Sequence, residues 1–388
     1  MMQRWKELAA VFLKLGAVSY GGAATTGIMY AEIAGKRRWL TDARYLEGMG
    51  FVNVLPGPPA VQLAVFIGYE RAGWTGGVLA GLAFILPAFF ILMGLTLLYS
   101  AYGEVGAVRD ALGGIGAAVL AIFGAAVYRL GRSALKDRPQ IALAVVAALL
   151  LAGTKVGVAP ILLLAACAGV ALYHSRAYGG AAGAVVIALW ACVHLLSPDL
   201  TAASDAADGA PPTLLNLAAF FLKVSALTFG GGMAIIVFVQ EQVVNRMQWL
   251  TSREFLDGLA LGQLTPGPVV MIAAYVGYKL AGIAGAIVAA LCIFAPAFFL
   301  VLPLMPVLER FEHLLWLKAA IRGIGPAVIG CLAVTLAQLF PHAVQDAYAA
   351  LILALAAATL VMWRVSPLPL ILGSGLLGIG VRAAAAYA

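Results

Sequence analysis

Two lysines stand where a charge is hardest to keep. Lys14 and Lys223 lie inside long apolar runs, whereas the other 22 Lys and Arg residues fall between such runs or within five residues of their ends. A charge within a hydrocarbon layer marks an ion or proton path, unless its flexible stem carries it to the interface. Lys14 sits about two turns into its run and allows both readings. Each lysine is followed at the same spacing by a hydroxyl and a glycine pair, Ser19-Tyr20-Gly21-Gly22 and Thr228-Phe229-Gly230-Gly231. On one continuous helix Lys14 and Gly21 share a face to within about 20°, and Glu32 follows on that face about 27 Å further on. Lys223, Gly230 and Glu241 repeat the pattern. Glu32 and Glu241 are therefore candidates for coupling or gating, or else interface anchors at a helix end. The glycine pair either lets helices approach closely or unwinds the chain and frees amides to meet an anion. Ser19, Thr25, Thr26 and Thr228 offer hydroxyl donors in both cases.

The second chemistry-bearing motif is Pro56-Gly57-Pro58-Pro59, matched by Pro266-Gly267-Pro268. Prolines lack an amide donor and clash with the preceding turn, so such a cluster breaks a helix. A break at membrane depth is tolerated only inside protein or beside a water-filled cavity. Paired broken helices in the two halves of a transporter point to a binding site, and the resuming half-helix offers a positive dipole end to an anion. A purely structural kink is the plainer alternative. Asn53 and Gln263 stand three residues before the first proline of each motif, and Gln62 and Thr265 add polar groups nearby. Pro87 and Pro296, also paired, sit among phenylalanines and read as hinges rather than ligand contacts.

These motifs need elements to carry them, and the elements repeat. Equivalent residues lie 209 apart, with a one-residue shift between Trp39/Trp249 and Pro58/Pro268. With 63% hydrophobic and 11% charged residues, against roughly a quarter charged in soluble domains, the chain reads as an all-α polytopic integral membrane protein. Apolar segments fall near 8–33, 46–69, 75–100, 111–130, 140–154, 156–174, 179–197, 214–240, 255–280, 282–308, 319–340, 346–363 and 367–387. That is about 13 transmembrane segments (6+1+6), with broken helices at the Pro-Gly-Pro motifs. The fifth and sixth, and the last two, are short enough to be hairpins. The organisation is residues 1–177 as one repeat, 178–213 as a linker helix and acidic loop, and 214–388 as the second repeat. A displacement of seven segments inverts the second half; six would leave the halves parallel. The choice hangs on 179–197, with its Trp190 and His194. With a cytoplasmic N-terminus, thirteen spans put fourteen Lys and Arg inside and eight outside, whereas twelve spans put ten inside and twelve outside. The positive-inside rule favours the inverted arrangement, with Lys36-Arg37-Arg38 as its main violation. The net charge of +7 belongs to this orientation signal and not to nucleic acid binding. Cys167, Cys192, Cys292 and Cys331 lie in apolar segments without metal spacing, and the four histidines are scattered, so no cofactor or metal is expected. The basic, apolar N-terminus looks like a signal peptide, but its internal copy at residue 221 argues for a retained helix.

The doubled Phe-Leu-Lys, Ser/Thr-x-Gly-Gly and Pro-Gly-Pro pattern resembles the chromate ion transporter family in its long, two-domain form, over almost the whole chain. Ala23 departs from it where the second half continues with Gly232. The resemblance implies a multi-pass protein of the bacterial inner membrane that exports chromate using ion-motive force and confers chromate resistance. It also implies thirteen spans with opposed halves, the N-terminus cytoplasmic and the C-terminus outside. The substrate site would draw on Lys14, Ser19, Gly21, Gly22, Asn53, Pro56, Gly57, Pro58, Lys223, Thr228, Gly230, Gly231, Gln263, Thr265, Pro266, Gly267 and Pro268. Chromate is a tetrahedral dianion, and an inside-negative potential drives each of its charges outward by about 2.3 kcal/mol per 100 mV. Import or exchange of sulfate or another small oxyanion is the alternative. The protein is expected to contact membrane lipid and to act as a monomer or homodimer. An intramembrane lipid enzyme lacks any His-rich, Asp-rich or Ser–His pattern here, and a scaffold gains nothing from broken helices.

Overall fold

A computed structural model describes residues 2–19, 22–53, 55–103, 105–154, 156–196, 213–228, 233–307, 314–362, 365 and 367–387. Among the described residues the chain is helical throughout, with no β-strand. Four stretches among the described residues are long and apolar enough to cross a membrane: Pro59–Tyr102, Gly106–Ala134, Val269–Leu304 and Leu315–Ala343. Large apolar side chains face outward from them, with Phe90 66% and Phe299 76% exposed. Such a surface suits lipid, so the protein is membrane-embedded.

Each half begins with two helical hairpins. Helix α1 (Met2–Val18) ends before the Ser19–Gly22 motif, and α2 (Gly22–Tyr30) runs on into a π-helical turn, Ala31–Lys36. The two arms run back along one another. Arg37, after the second arm, donates to Glu7 near the start of the first and to Glu32 near the end of its own, at 2.7 Å each. The continuous helix expected over 8–33 is therefore folded in two, and its five-turn separation of Lys14 from Glu32 is lost. In the second half α9 (Leu214–Ala226) and α10 (Met233–Val239) with the π turn Gln240–Arg246 repeat the arrangement, and Phe220 packs on Trp249 at 5.7 Å between ring centroids.

The second hairpin turns at the Pro-Gly-Pro motif. Helix α3 (Asp42–Val52), capped by Thr41, meets the first part of α4 (Pro59–Tyr102), with Gly48 against the Phe66 ring and Arg44 paired to Glu70 at 2.8 Å. Helix α11 (Ser252–Leu264) opens on a Thr251–Glu254 capping box. A short 3-10 turn at Val269–Met271 leads into α12 (Ile272–Leu304), with Gly258 on the Tyr275 ring and Glu254 paired to Lys279 at 2.8 Å. The segments expected at 46–69 and 255–280 are thus folded back at their proline motifs rather than kinked in passing. Prolines at the tip leave no amide ladder to continue a helix, and a residue at positive φ reverses the chain.

Helices α4 and α12 are each two rods. Helical dihedrals fail at Ala72–Gly73 and at Ala281–Gly282, where Gly73 and Gly282 have φ of +66° and +62°. Gly68 lies against the Gly76 carbonyl, and Gly277 against that of Gly285. Only residues without side chains allow that approach.

The remaining helices interleave the halves. Helix α5 (Gly106–Ala134) packs on α14 (Ala347–Met362) and α15 (Pro367–Tyr387), which belong to the other half by sequence. Reciprocally, α13 (Leu315–Ala343) packs on α6 (Arg138–Gly153) and α7 (Val158–Tyr173). Both exchanges centre on glycines 209 residues apart, Gly114 against Gly378 and Gly323 against Gly169. Helices α6 and α7 have 16 residues each, or about 24 Å, shorter than a hydrocarbon core of about 30 Å. Helix α8 (Arg176–Leu196) occupies the place of the extra segment.

Candidate functional site

The four hairpin tips meet in pairs, each between halves. Gly57 N–H donates to the Thr228 carbonyl at 2.8 Å, and Gly267 N–H donates to the Ser19 carbonyl at 2.6 Å. The reason lies in the residue types. Among Pro56, Gly57, Pro58 and Pro59, only Gly57 carries an amide hydrogen. The tip has one donor, and that donor bonds the opposite half. Gly57 and Gly267 adopt φ of +112° and +108°, where an L side chain is strained. Thr228 and Ser19 are buried, as are both glycines.

Helix ends gather at these tips. Helices α2, α4, α10 and α12 begin beside them, while α1, α3, α9 and α11 end there. Helix starts present partial positive charge and helix ends partial negative charge. The tip region is therefore polarised without a formal charge, and it can stabilise an oxyanion through amides and dipoles.

The lysines are elsewhere. Lys14 and Lys223 are exposed, on the outer faces of α1 and α9 one turn before the tips. Lys14 lies within electrostatic range of Glu32. Glu32 and Glu241 are both paired: Glu32 with Arg37 at 2.7 Å, Glu241 with Arg246 at 3.2 Å and with Asn245 at 2.8 Å. The polar residues flanking the proline motifs turn partly inward on their own helices. Asn53 is exposed and donates to the Met49 carbonyl at 2.8 Å; the Thr265 and Thr228 hydroxyls donate to Leu261 and Val224 at 2.8 and 2.6 Å. Gln263 is half-buried, Pro56 and Pro268 are partly buried, and Pro58 and Pro266 are buried. Gly22 opens α2, while Gly21, Gly230 and Gly231 lie outside the described residues.

Two features escaped the residue pattern. Asp257 sits inside the expected span 255–280, where an acid in an apolar run is the same signal as a lysine. It is 5% exposed, accepts from the Tyr99 hydroxyl at 2.9 Å, and lies 3.4 Å from Arg253 Nε. Tyr99 comes from the far end of α4, so this contact ties the first half to α11. The second feature is a reversed ion pair. Arg44 and Glu70 in the first half correspond to Glu254 and Lys279 in the second, at the same place in the hairpin. The contact recurs while its polarity inverts. A groove of about 660 Å³ between the second rods of α4 and α12 is lined by apolar residues such as Leu82, Phe89, Phe294 and Phe298, and offers nothing to a dianion. Among the described residues no cluster of three His, Cys, Asp or Glu could hold a metal.

Paired helical hairpins with polarised tips, set in an interleaved helical membrane protein, have the form that broken-helix carriers share. The chromate transporter family matches residues 6–172 and 215–379, and the chain belongs to that family. It is similar to the chromate transport protein of Cupriavidus metallidurans, 31% identical over 377 residues, covering 96% of this chain and 92% of that protein. It is also 34% identical to the chromate transport protein of Pseudomonas aeruginosa, covering 85% of this chain and 80% of the relative. A probable chromate transport protein of Synechococcus elongatus is 31% identical, with coverage of 88% and 86%. No solved structure matches this chain.

Proposed function

We propose that this protein is a secondary transporter that exports chromate across the bacterial inner membrane by alternating access around a central anion site, and so confers chromate resistance. The observation that carries this reading is the reciprocal pair of tip bonds, Gly57 to Thr228 and Gly267 to Ser19. A carrier needs two gates that open in turn, and two equivalent contacts, one at each proline tip, have that form. The halves, residues 1–177 and 214–388, are inverted through the single crossing of the 178–213 linker. Their hairpins then enter from opposite faces and meet at their tips. The anion lies among Ser19–Gly22, Pro56–Pro58, Thr228–Gly231 and Pro266–Pro268, held by helix starts and amides. Lys14 and Lys223, one turn away and exposed, line the approaches and raise the local concentration of a dianion rather than bind it. With inside negative, the N-terminus cytoplasmic and the C-terminus outside, the potential drives the anion outward.

The test is chromate uptake into everted vesicles from cells with and without this protein. Protein-dependent uptake that excess sulfate blocks and that falls when the potential is dissipated is the expected result. Absence of protein-dependent uptake in energised vesicles would refute chromate export. Sulfate uptake into right-side-out vesicles, without chromate movement in everted ones, would assign an importer of tetrahedral oxyanions instead.

A further inference from the structure

The apolar groove between the second rods of α4 and α12 is off centre. The rods run antiparallel, with Gly77 against Leu302 and Gly81 against Phe298. Residues 209 apart therefore mirror one another about Ile85 and Phe294. The lining takes in Trp74, Leu302 and Pro303 but leaves out their counterparts Ile283, Met93 and Gly94. The groove thus runs from the middle of the two rods to the end at Trp74. Trp74 to Phe89 covers about 22 Å of helix, more than one leaflet of a hydrocarbon core about 30 Å thick. Its volume of about 660 Å³ is that of a small-molecule site, yet its wall is hydrocarbon.

The Trp74 end is also the cationic end. Arg71 lies three residues before Trp74, across the turn at Gly73. Its guanidinium carbon stands 5.2 Å from the centroid of the Trp39 ring, and that of Arg37 stands 5.4 Å from the same centroid. Arg37 is satisfied by Glu7 and Glu32, at 2.7 Å each. Arg71 is not: among the described residues its nearest acid oxygen is Glu7 Oε2 at 4.0 Å, beyond hydrogen-bond reach. Lys36, Arg37, Arg38 and Arg71 against Glu7 and Glu32 leave a net charge of +2 around Trp39. At the mirrored end Trp249 keeps its place, while Asn245, Gln248 and Leu280 stand for Lys36, Arg38 and Arg71. Arg38 and Gln248 share a φ of +51°, which fixes that register.

The occupant that suits this groove is apolar along its length and anionic at one end. A free oxyanion gains nothing from the hydrocarbon wall, and a neutral lipid gains nothing from the cations. Tryptophans at headgroup level with basic side chains beside them suit an acidic lipid. We infer that the groove binds one acyl chain of an anionic phospholipid, whose phosphate is met by Arg71 beside Trp39 and Trp74. Helix α4 belongs to the first half and α12 to the second, so the seated chain spans the seam between them. Which leaflet supplies the lipid rests on the orientation proposed above; its binding does not.

The experiment measures thermal unfolding of the purified, delipidated full chain in detergent, without oxyanion. Mixed micelles carry either dioleoyl phosphatidylglycerol or dioleoyl phosphatidylcholine at equal concentration. The expected result is a saturable rise in Tm with phosphatidylglycerol and a much smaller one with phosphatidylcholine. Arg71→Gln should raise the half-saturating phosphatidylglycerol concentration about fivefold, the share of one basic residue near an anionic surface. Leu82→Trp fills the groove from a lining position that is 40% exposed, and should abolish the rise. Val78→Trp, at an equally exposed lining position, takes its place if that variant does not fold. Equal rises with both lipids, or none with either, would overturn the proposal. A phosphatidylglycerol effect unchanged by Arg71→Gln or by the groove-filling variant would overturn it as well, by seating the lipid elsewhere. Size-exclusion chromatography of the same samples reports on the other occupant. A dimer that Leu82→Trp splits, with no lipid-dependent shift in Tm, would give the groove to a second copy of the chain. Transport is not read in any arm, so failure of the carrier reading is seen separately.

Discussion

At the scale of single residues, the two tip glycines are equivalent by sequence but not in what surrounds them. A Cβ on Gly267 would lie 2.7 Å from Ala88 Cβ, on a helix that cannot give way, whereas one on Gly57 would meet the end of the Gln62 amide at 3.0 Å. Both substitutions incur strain of about 1–3 kcal/mol from the positive φ. Gly267→Ala should therefore lower Tm further than Gly57→Ala, and both should abolish chromate transport. A larger loss from Gly57→Ala would contradict this packing. The acids illustrate a different lesson. Glu32 and Arg37 are five apart, which on an α-helix would put them about 140° from each other. The π-helical turn brings them onto one side, and the same holds for Glu241 and Arg246. Residue spacing identified the acids, but only the local widening of the helix supplies their partners.

Among elements, the glycine contacts between α5 and α15 and between α7 and α13 hold the exchanged helices together. Gly323 lies against the Ala165 carbonyl and Gly169, while Gly325, two residues on, has nothing within 4 Å of its Cβ position. Gly323→Val should prevent close approach of α13 and α7 and reduce the protease-resistant folded fraction severely. Gly325→Val should be tolerated, and fluorescence-detected size-exclusion chromatography compares the two directly. Equal behaviour would deny the contact its structural role. The same logic explains the sharp turns at Gly73 and Gly282, where a positive φ and a bare backbone let two rods fold together. An apolar run of the right length could not announce such a turn, because hydropathy is blind to whether the chain goes on or comes back.

For the whole molecule, the interleaving makes each half incomplete alone: α5 finds its partners in the last two helices of the chain, and α13 finds its own in α6 and α7. The proposed inversion has a direct consequence. Lys136 and Gln345, exposed and 209 residues apart, would face opposite sides of the membrane. In a background without the four native cysteines, Lys136→Cys and Gln345→Cys should react with an impermeant maleimide from opposite sides of sealed vesicles. Labelling of both from one side would rule out the inverted arrangement.

The sequence by itself determined that this is a helical membrane protein built from a repeat of 209 residues, and it singled out the Ser/Thr-x-Gly-Gly and Pro-Gly-Pro motifs. Apolar content and repetition are properties of the linear chain, and proline and glycine act on their own backbone. Tertiary structure alone decided that the motifs are hairpin tips, that each tip bonds the other half, and that Lys14 and Lys223 lie on exposed faces. It also decided that Asp257 joins Tyr99 and that Gln62 and Ser225 share one tip. These pairings join residues 158 to 248 apart in the chain. Such long-range contacts depend on how the helices cross and which small residues let them approach, and no local spacing encodes that.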